Sequence, residues 1–134
     1  MTDYEAIIYI LKNETTVTAV VAKMVNNAGT DSVYPAIVFG DLPERQNVYP
    51  AISVRRGTKD KYNGVETGFF IIDCWAASMS ASVALAEIVD ELFTDSQCFA
   101  TGYAFHSFSD IIGTVSDGQY YNTPVNIRIN YIRR

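Results

Sequence analysis

The dipeptide Asn63-Gly64 constrains this chain more than any other feature, because it stands between two long runs of strand character. A type I′ turn needs positive φ at both central residues, and Asn-Gly accepts this most readily. The spacing predicts a two-residue hairpin between a strand that begins at residues 50–56 and a return strand over residues 65–76. That register sets Lys61 opposite Glu66, a favourable cross-strand pair.

Helical patterns lie on both sides of the hairpin. Thr2 and Glu5 have capping-box spacing, and Ala6, Ile7, Ile10 and Leu11 recur at helical intervals, so a helix is expected over residues 3–12. A second helical piece is expected over residues 16–25, with Val17, Val20, Val21 and Met24 on one face. Ser78 and Ser80 can each cap a helix that runs to Phe93. Leu85, Ile88, Val89 and Leu92 face one way on it, and Glu87, Asp90 and Glu91 the other. Further strands are expected over residues 33–39, where Pro35 favours an edge, and over 99–108 and 125–132. In the last, Val125, Ile127, Ile129 and Tyr131 alternate with Asn126, Arg128 and Asn130, the mark of a sheet buried on one face. The expected fold is α+β in two layers. An antiparallel sheet of about four strands is packed on one face by the N-terminal helix and the central amphipathic helix. At 134 residues the chain is read as a single domain, 1–134.

The return strand departs from that alternation. Phe70, Ile72 and Cys74 face one way, and Phe69, Ile71 and Trp75 the other, with Asp73 among them. The predicted helices cover one face only, so either a loop or another subunit must cover the second. We expect a subunit or partner interface built on Phe69, Ile71, Asp73 and Trp75. Arg55 and Arg128 are the candidate cations for Asp73, since an unpaired buried carboxylate is costly.

Four of the ten basic residues, Arg55, Arg56, Lys59 and Lys61, fall within seven positions of the hairpin. With Tyr62, the residues Arg56, Lys59 and Lys61 read either as a basic arm for a partner or as charge that protects a sheet edge from aggregation. The net charge of −5 opposes a nucleic-acid reader that grips phosphates.

No catalytic constellation emerges. His106 is the only histidine, and its neighbour Ser107 must point to the opposite face of a strand. Nucleophile-elbow, dinucleotide-binding and P-loop motifs are absent. Cys74, Cys98 and His106 together fall short of the four ligands a structural zinc site needs. Neither an enzyme, a cofactor nor a metal is expected. The N-terminal pentapeptide lacks the positive start of a signal peptide, and the early apolar run over residues 6–11 is too short to span a bilayer. These features predict a reducing, cytoplasmic setting without a membrane.

Three stretches, residues 50–54, residues 71–76 running into the helix 78–93, and the Asp117-Gly118 loop with the closing strand, carry a resemblance. Their order resembles that of the tail-terminator family of long-tailed phages, also called tail completion or tail-to-head joining proteins. The resemblance implies a virion structural protein assembled in the host cytoplasm. It would form a ring, commonly a hexamer, that caps the tail tube, stops its polymerisation and joins the tail to the head connector. Partners would be the tail-tube protein and the head-completion protein, with DNA passing through the lumen unbound. An acidic lumen suits that passage, because it repels phosphates. Two other classes remain open: a small ligand-binding or regulatory α+β domain acting as a dimer, and an enzyme that uses His106 or Cys74.

Overall fold

The computed structural model describes residues 3–25, 33–40, 48–62, 65–100 and 103–133, and side chains within 3–23, 35–40, 48–57, 67–95, 106–116 and 118–130. The fold is mixed α+β, with helices packed on a mostly antiparallel sheet. Helix α1 (Asp3–Asn13) is followed by the single turn α2 (Thr15–Thr18). Strands β1 (Lys23–Val25) and β2 (Val33–Pro35) pair as a small separate sheet. The main sheet runs β3-β4-β5-β9-β7-β6, with β8 (Val115–Asp117) also on β9. Its members are β3 (Ile37–Phe39), β4 (Ala51–Tyr62), β5 (Val65–Ala76), β6 (Ser96–Ala100), β7 (Tyr103–Ile111) and β9 (Tyr120–Arg133). Helix α3 (Met79–Phe93) links β5 to β6.

The expected hairpin stands at the centre of this sheet. Lys61 lies opposite Glu66 and Tyr62 opposite Val65 in the backbone register; Asn63-Gly64 itself falls outside the described residues. The register slips between Arg56 and Lys59, where a bulge accommodates Gly57. A Cβ at Gly57 would lie 3.1 Å from both the Cβ and the carbonyl oxygen of Phe69, tighter than most side-chain contacts. Gly118, at φ 64, supplies the left-handed turn between β8 and β9.

The sheet has more strands than the four expected, for local reasons. The run 33–39 is not one strand. Its centre, Ala36, donates to the carbonyl of Ala22 at 2.9 Å and accepts from the N–H of Ile52 at 2.8 Å. That split sends β2 to β1 and lays β3 parallel on β4, the one parallel pair among the described strands. The run 99–108 is a hairpin of β6 and β7. The second helix is also shorter than the expected 16–25. It stops at Thr18, and Lys23–Val25 is strand, in keeping with a β-branched run that gains little from a helix.

The core sits between the sheet and the helices. Ile52 and Val54, Phe70 and Ile72, and Val125, Ile127 and Ile129 pack against Ile7, Leu11, Leu85, Val89 and Phe93. Ser78 caps α3 by accepting from the N–H of Ala81 at 3.2 Å, so of the two candidate serines it is the cap. Polar side chains fasten α3 to the strands beneath it. The Ser82 hydroxyl donates to the carbonyl of Cys74 at 2.8 Å. At the other end Ser107 donates to the carbonyl of Phe93 at 2.8 Å and Ser109 to that of Asp90 at 2.9 Å. Ser107 thus serves a carbonyl at the very end of the helix, whereas the carbonyl of Asp90 also accepts from the backbone N–H of Thr94 at 2.8 Å.

Candidate functional site

The face of the sheet turned away from α1 and α3 collects the residues that the sequence singled out. Side chains alternate along a strand. With Phe70, Ile72 and Cys74 in the core, Phe69, Ile71, Asp73 and Trp75 must point outward. The register sets them in cross-strand rows. Arg55, Ile71, Asn126 and Asp110 form one, Phe69, Arg128 and Phe108 a second, and Ser53, Asp73 and Pro124 a third.

This outer face is divided. Toward the start of β4, Ala51 packs with Ala36 and is covered by Ala22, Val38, Val48 and Tyr49, so chain segments do close over part of the second face. Toward the bulge it is open. Phe69, Ile71 and Trp75 are half-buried, and Phe108 is exposed. Gly57, Phe69, Ile71, Phe108, Asn126 and Arg128 line a groove there of about 530 Å³.

Between the covered and open parts lies a polar knot. Asp73 is only 3% exposed. Arg55 grips it with a two-pronged contact, Nε to Oδ2 at 2.5 Å and Nη2 to Oδ1 at 2.9 Å. The side-chain amide of Asn122 adds a third bond to Oδ1 at 2.9 Å. Three hydrogen bonds of this kind, two of them from a guanidinium, offset much of the cost of burying the carboxyl group. The same hydrogen bond raises Arg55 above its ordinary value, so the guanidinium stays charged. Beside the knot, the indole N–H of Trp75 donates to Ser53 at 3.0 Å. Of the two candidate cations Arg55 is thus the one on Asp73. Arg128 lies instead over the ring of Phe108, its Cζ 4.6 Å from the centroid.

The basic arm is less uniform than its sequence. Arg56 turns to the helix side, where it pairs with the buried carboxylate of Asp3 and lies over the rings of Tyr4 and Phe70. It ties the base of the hairpin to the start of α1. The backbones of Lys59, Lys61 and Tyr62 belong to β4, and their side chains fall outside the described residues.

No family model matches the sequence, and no curated protein matches it. A solved structure does match. It is a chain of "Virion of native gene transfer agent (GTA) particle", 14% identical, with a TM-score of 0.59 over 95% of this chain and 92% of that chain. At that identity the likeness is one of fold.

The residues that could support other chemistry are dispersed. Nε2 of His106 meets Oδ1 of Asp95 at 2.6 Å, and its ring stacks on Phe108, while Ser107 faces the helix side and is spent on Phe93. A Ser-His-Asp relay is therefore not assembled at His106. The thiol of Cys74 is buried, and burial, followed by the charge of Asp73, pushes its pKa up, away from a reactive thiolate. Among the described residues no group of three or more His, Cys, Asp or Glu side chains could hold a metal ion. No helix among them is long and apolar enough to cross a membrane.

Three apolar residues of the open region escaped the sequence reading: Phe108, Ile112 and Val115. Val115 stands opposite Asn122, itself opposite Trp75, which puts it on the outer face. Ile112 follows the end of β7, and the two are 56% and 59% exposed. The signal was present in β7 but inverted. Its serines look like surface residues and its Phe108 like core, until the carbonyls at the end of α3 claim the serines.

Proposed function

We propose that the chain, residues 1–134 as one domain, is a structural protein of a phage-like virion that acts as a tail terminator. Copies assemble into a ring, taken here as a hexamer, that caps the tail tube, halts its polymerisation and offers a surface to the head-completion protein. The observation that carries this reading is the fold likeness to a chain of a gene transfer agent virion, which extends over 95% of this chain. The order of sequence elements points the same way. So does an outer sheet face with half-buried Phe69, Ile71 and Trp75 beside exposed Phe108, because apolar patches of this kind mark contact surfaces. In this role Phe69, Ile71 and Trp75 are subunit or partner contacts, and the Arg55–Asp73 pair keeps the face between them rigid. Arg128 contributes a charge at the same contact. Lys59, Lys61 and Tyr62 extend the hairpin toward a neighbouring protein. The net charge of −5 lets DNA pass a lumen without adhering.

The test is native mass spectrometry and electron microscopy of the purified chain, alone and with a tail-tube protein. Closed rings that cap tubes and stop their extension are expected. A monomer or a dimer that leaves tube extension unchanged would overturn the reading, and a dimer would favour a ligand-binding or regulatory domain.

A further inference from the structure

Asp95 breaks two local rules at once. It follows the C-cap Thr94 with a backbone φ of 40°, in the left-handed region that favours glycine and asparagine. It also sets a carboxylate just past the C-terminus of α3, where the helix dipole disfavours negative charge. A residue that breaks local rules in this way points to a role beyond the fold. Its side chain meets His106, the only histidine of the chain, whose Nε2 lies 2.6 Å from Oδ1.

The surroundings of this pair are charged unevenly. His106 alternates with Ser107, which faces the helices, so the pair lies on the outer face of the sheet. The imidazole stacks on Phe108 with ring centroids 4.7 Å apart, and the guanidinium of Arg128 lies over the same ring. Asp110, exposed two residues further along β7 on the same face, lines the groove with Phe108 and Arg128. Strand β6, on one side of His106, contains no charged residue, and Asn130, opposite it on β9, is neutral. Arg55 and Asp73 hold each other, and Asp90 lies on the helix side, where Ser109 donates to it. Around Phe108, among the described side chains, two carboxylates thus stand against one guanidinium, and His106 decides the balance.

We propose that His106 is a proton-dependent switch on the contact face: proton uptake cancels the excess negative charge around Phe108 and tightens assembly. This rests on the reading of the outer face as a contact and adds its regulation. A carboxylate only accepts, so the neutral imidazole donates from Nε2 to Asp95. A second proton, taken up at Nδ1, leaves that bond in place and turns it into an ion pair. Imidazole is the side chain that ordinarily changes charge between pH 5 and 8. A patch with an unbalanced charge costs more to strip of water than a balanced one. Closing the contact therefore favours the protonated pair. By linkage, the assembled state binds more protons and gains as pH falls.

Two variants separate charge from structure. His106→Gln keeps a neutral donor at every pH. Asp95→Asn removes the excess charge with a residue that tolerates a left-handed backbone. Circular dichroism should show both folded. With the tube protein present, sedimentation should find wild type assembling at about fivefold less protein at pH 6 than at pH 8, the worth of one exposed ion pair. His106→Gln should behave at both values as wild type does at pH 8. Asp95→Asn at pH 8 should assemble as readily as wild type at pH 6, whereas a merely structural pair would make it assemble less well. Equal assembly of wild type at both values, a pH response that survives in His106→Gln, or weaker assembly of Asp95→Asn at pH 8 would each overturn the switch and leave the ring reading intact. A wild-type chain that stays monomeric at both values would overturn the ring reading, and the switch with it.

Discussion

Alternate residues of β5 live in different surroundings. Phe70, Ile72 and Cys74 are sealed against the helices, while Phe69, Ile71 and Trp75, one step away along the same backbone, keep contact with water. Composition cannot separate the two sets, since both are large and apolar. The helices fall on one side only, and no helix among the described residues seals the other. A side chain that folding leaves half-wet is available to association. One strand can thus hold a domain together and present a contact to another protein.

The largest effect should come from the sealed side. Ile72→Asp would put a carboxylate in a fully buried site within the apolar core cluster. The expected loss is about 4 kcal/mol or more, enough to unfold most small domains. Chemical denaturation followed by circular dichroism checks this, and a folded Ile72→Asp chain would erase the contrast between the faces.

A smaller effect is expected at the boundary. Arg55→Ala would leave Asp73 buried with Asn122 as its side-chain donor. Breaking a wholly buried pair costs more, but the Arg55 side chain is half exposed and water screens part of the interaction. A loss of about 2 kcal/mol is expected from a denaturant melt. An unchanged midpoint would mean that the knot does not stabilise the face.

Cys74 sharpens the comparison through pH. Its thiol is held protonated in the folded chain, whereas an unfolded thiol ionises near 8.5. The raised native value gives stability that is complete below the unfolded pKa and is lost as pH rises past it. By pH 9.5 wild type should lose about 1.4 kcal/mol relative to its own neutral-pH stability, a loss absent in Cys74→Ala. Parallel pH profiles of the two chains would show that water reaches the sealed face.

What the sequence made legible follows how local the determining interaction is. The hairpin register was readable because Asn63-Gly64 and the Lys61–Glu66 pairing are neighbours in the chain. Helix α3 was readable from Ser78 and its repeat of Leu85, Ile88, Val89 and Leu92. The division of 33–39 at Ala36 was not, because it depends on bonds to Ala22 and Ile52, both distant in sequence. For the candidate site, the two-sided apolar character of β5 gave Phe69, Ile71 and Trp75, and cost considerations narrowed the cation for Asp73 to Arg55 or Arg128, of which the fold brings Arg55 to it. Arg56 misled, since its pairing with Asp3 spans most of the first half of the chain. Phe108 was missed because the needs of α3 determine which face of β7 turns inward.

The smallest expected effect on the monomer is also the sharpest test of the open face. Ile71 stands between Arg55 and Asn126 in the register, half-buried on the outer face. Ile71→Asp would place a carboxylate beside a guanidinium and an amide, with water at hand. Two terms oppose one another. The new charge gains from Arg55, and it also competes with Asp73, two residues along on the same face, for that cation. Partial cancellation leaves an expected loss of about 1 kcal/mol, near the centre of the distribution for single substitutions. Assembly should respond otherwise, because closing the groove would bury that carboxylate in every copy of the contact. Circular dichroism should therefore show a native chain, and ultracentrifugation with the tube protein present should show no ring. A chain that unfolds would place Ile71 in the core with Ile72. A chain that still forms rings would move the contact away from the groove.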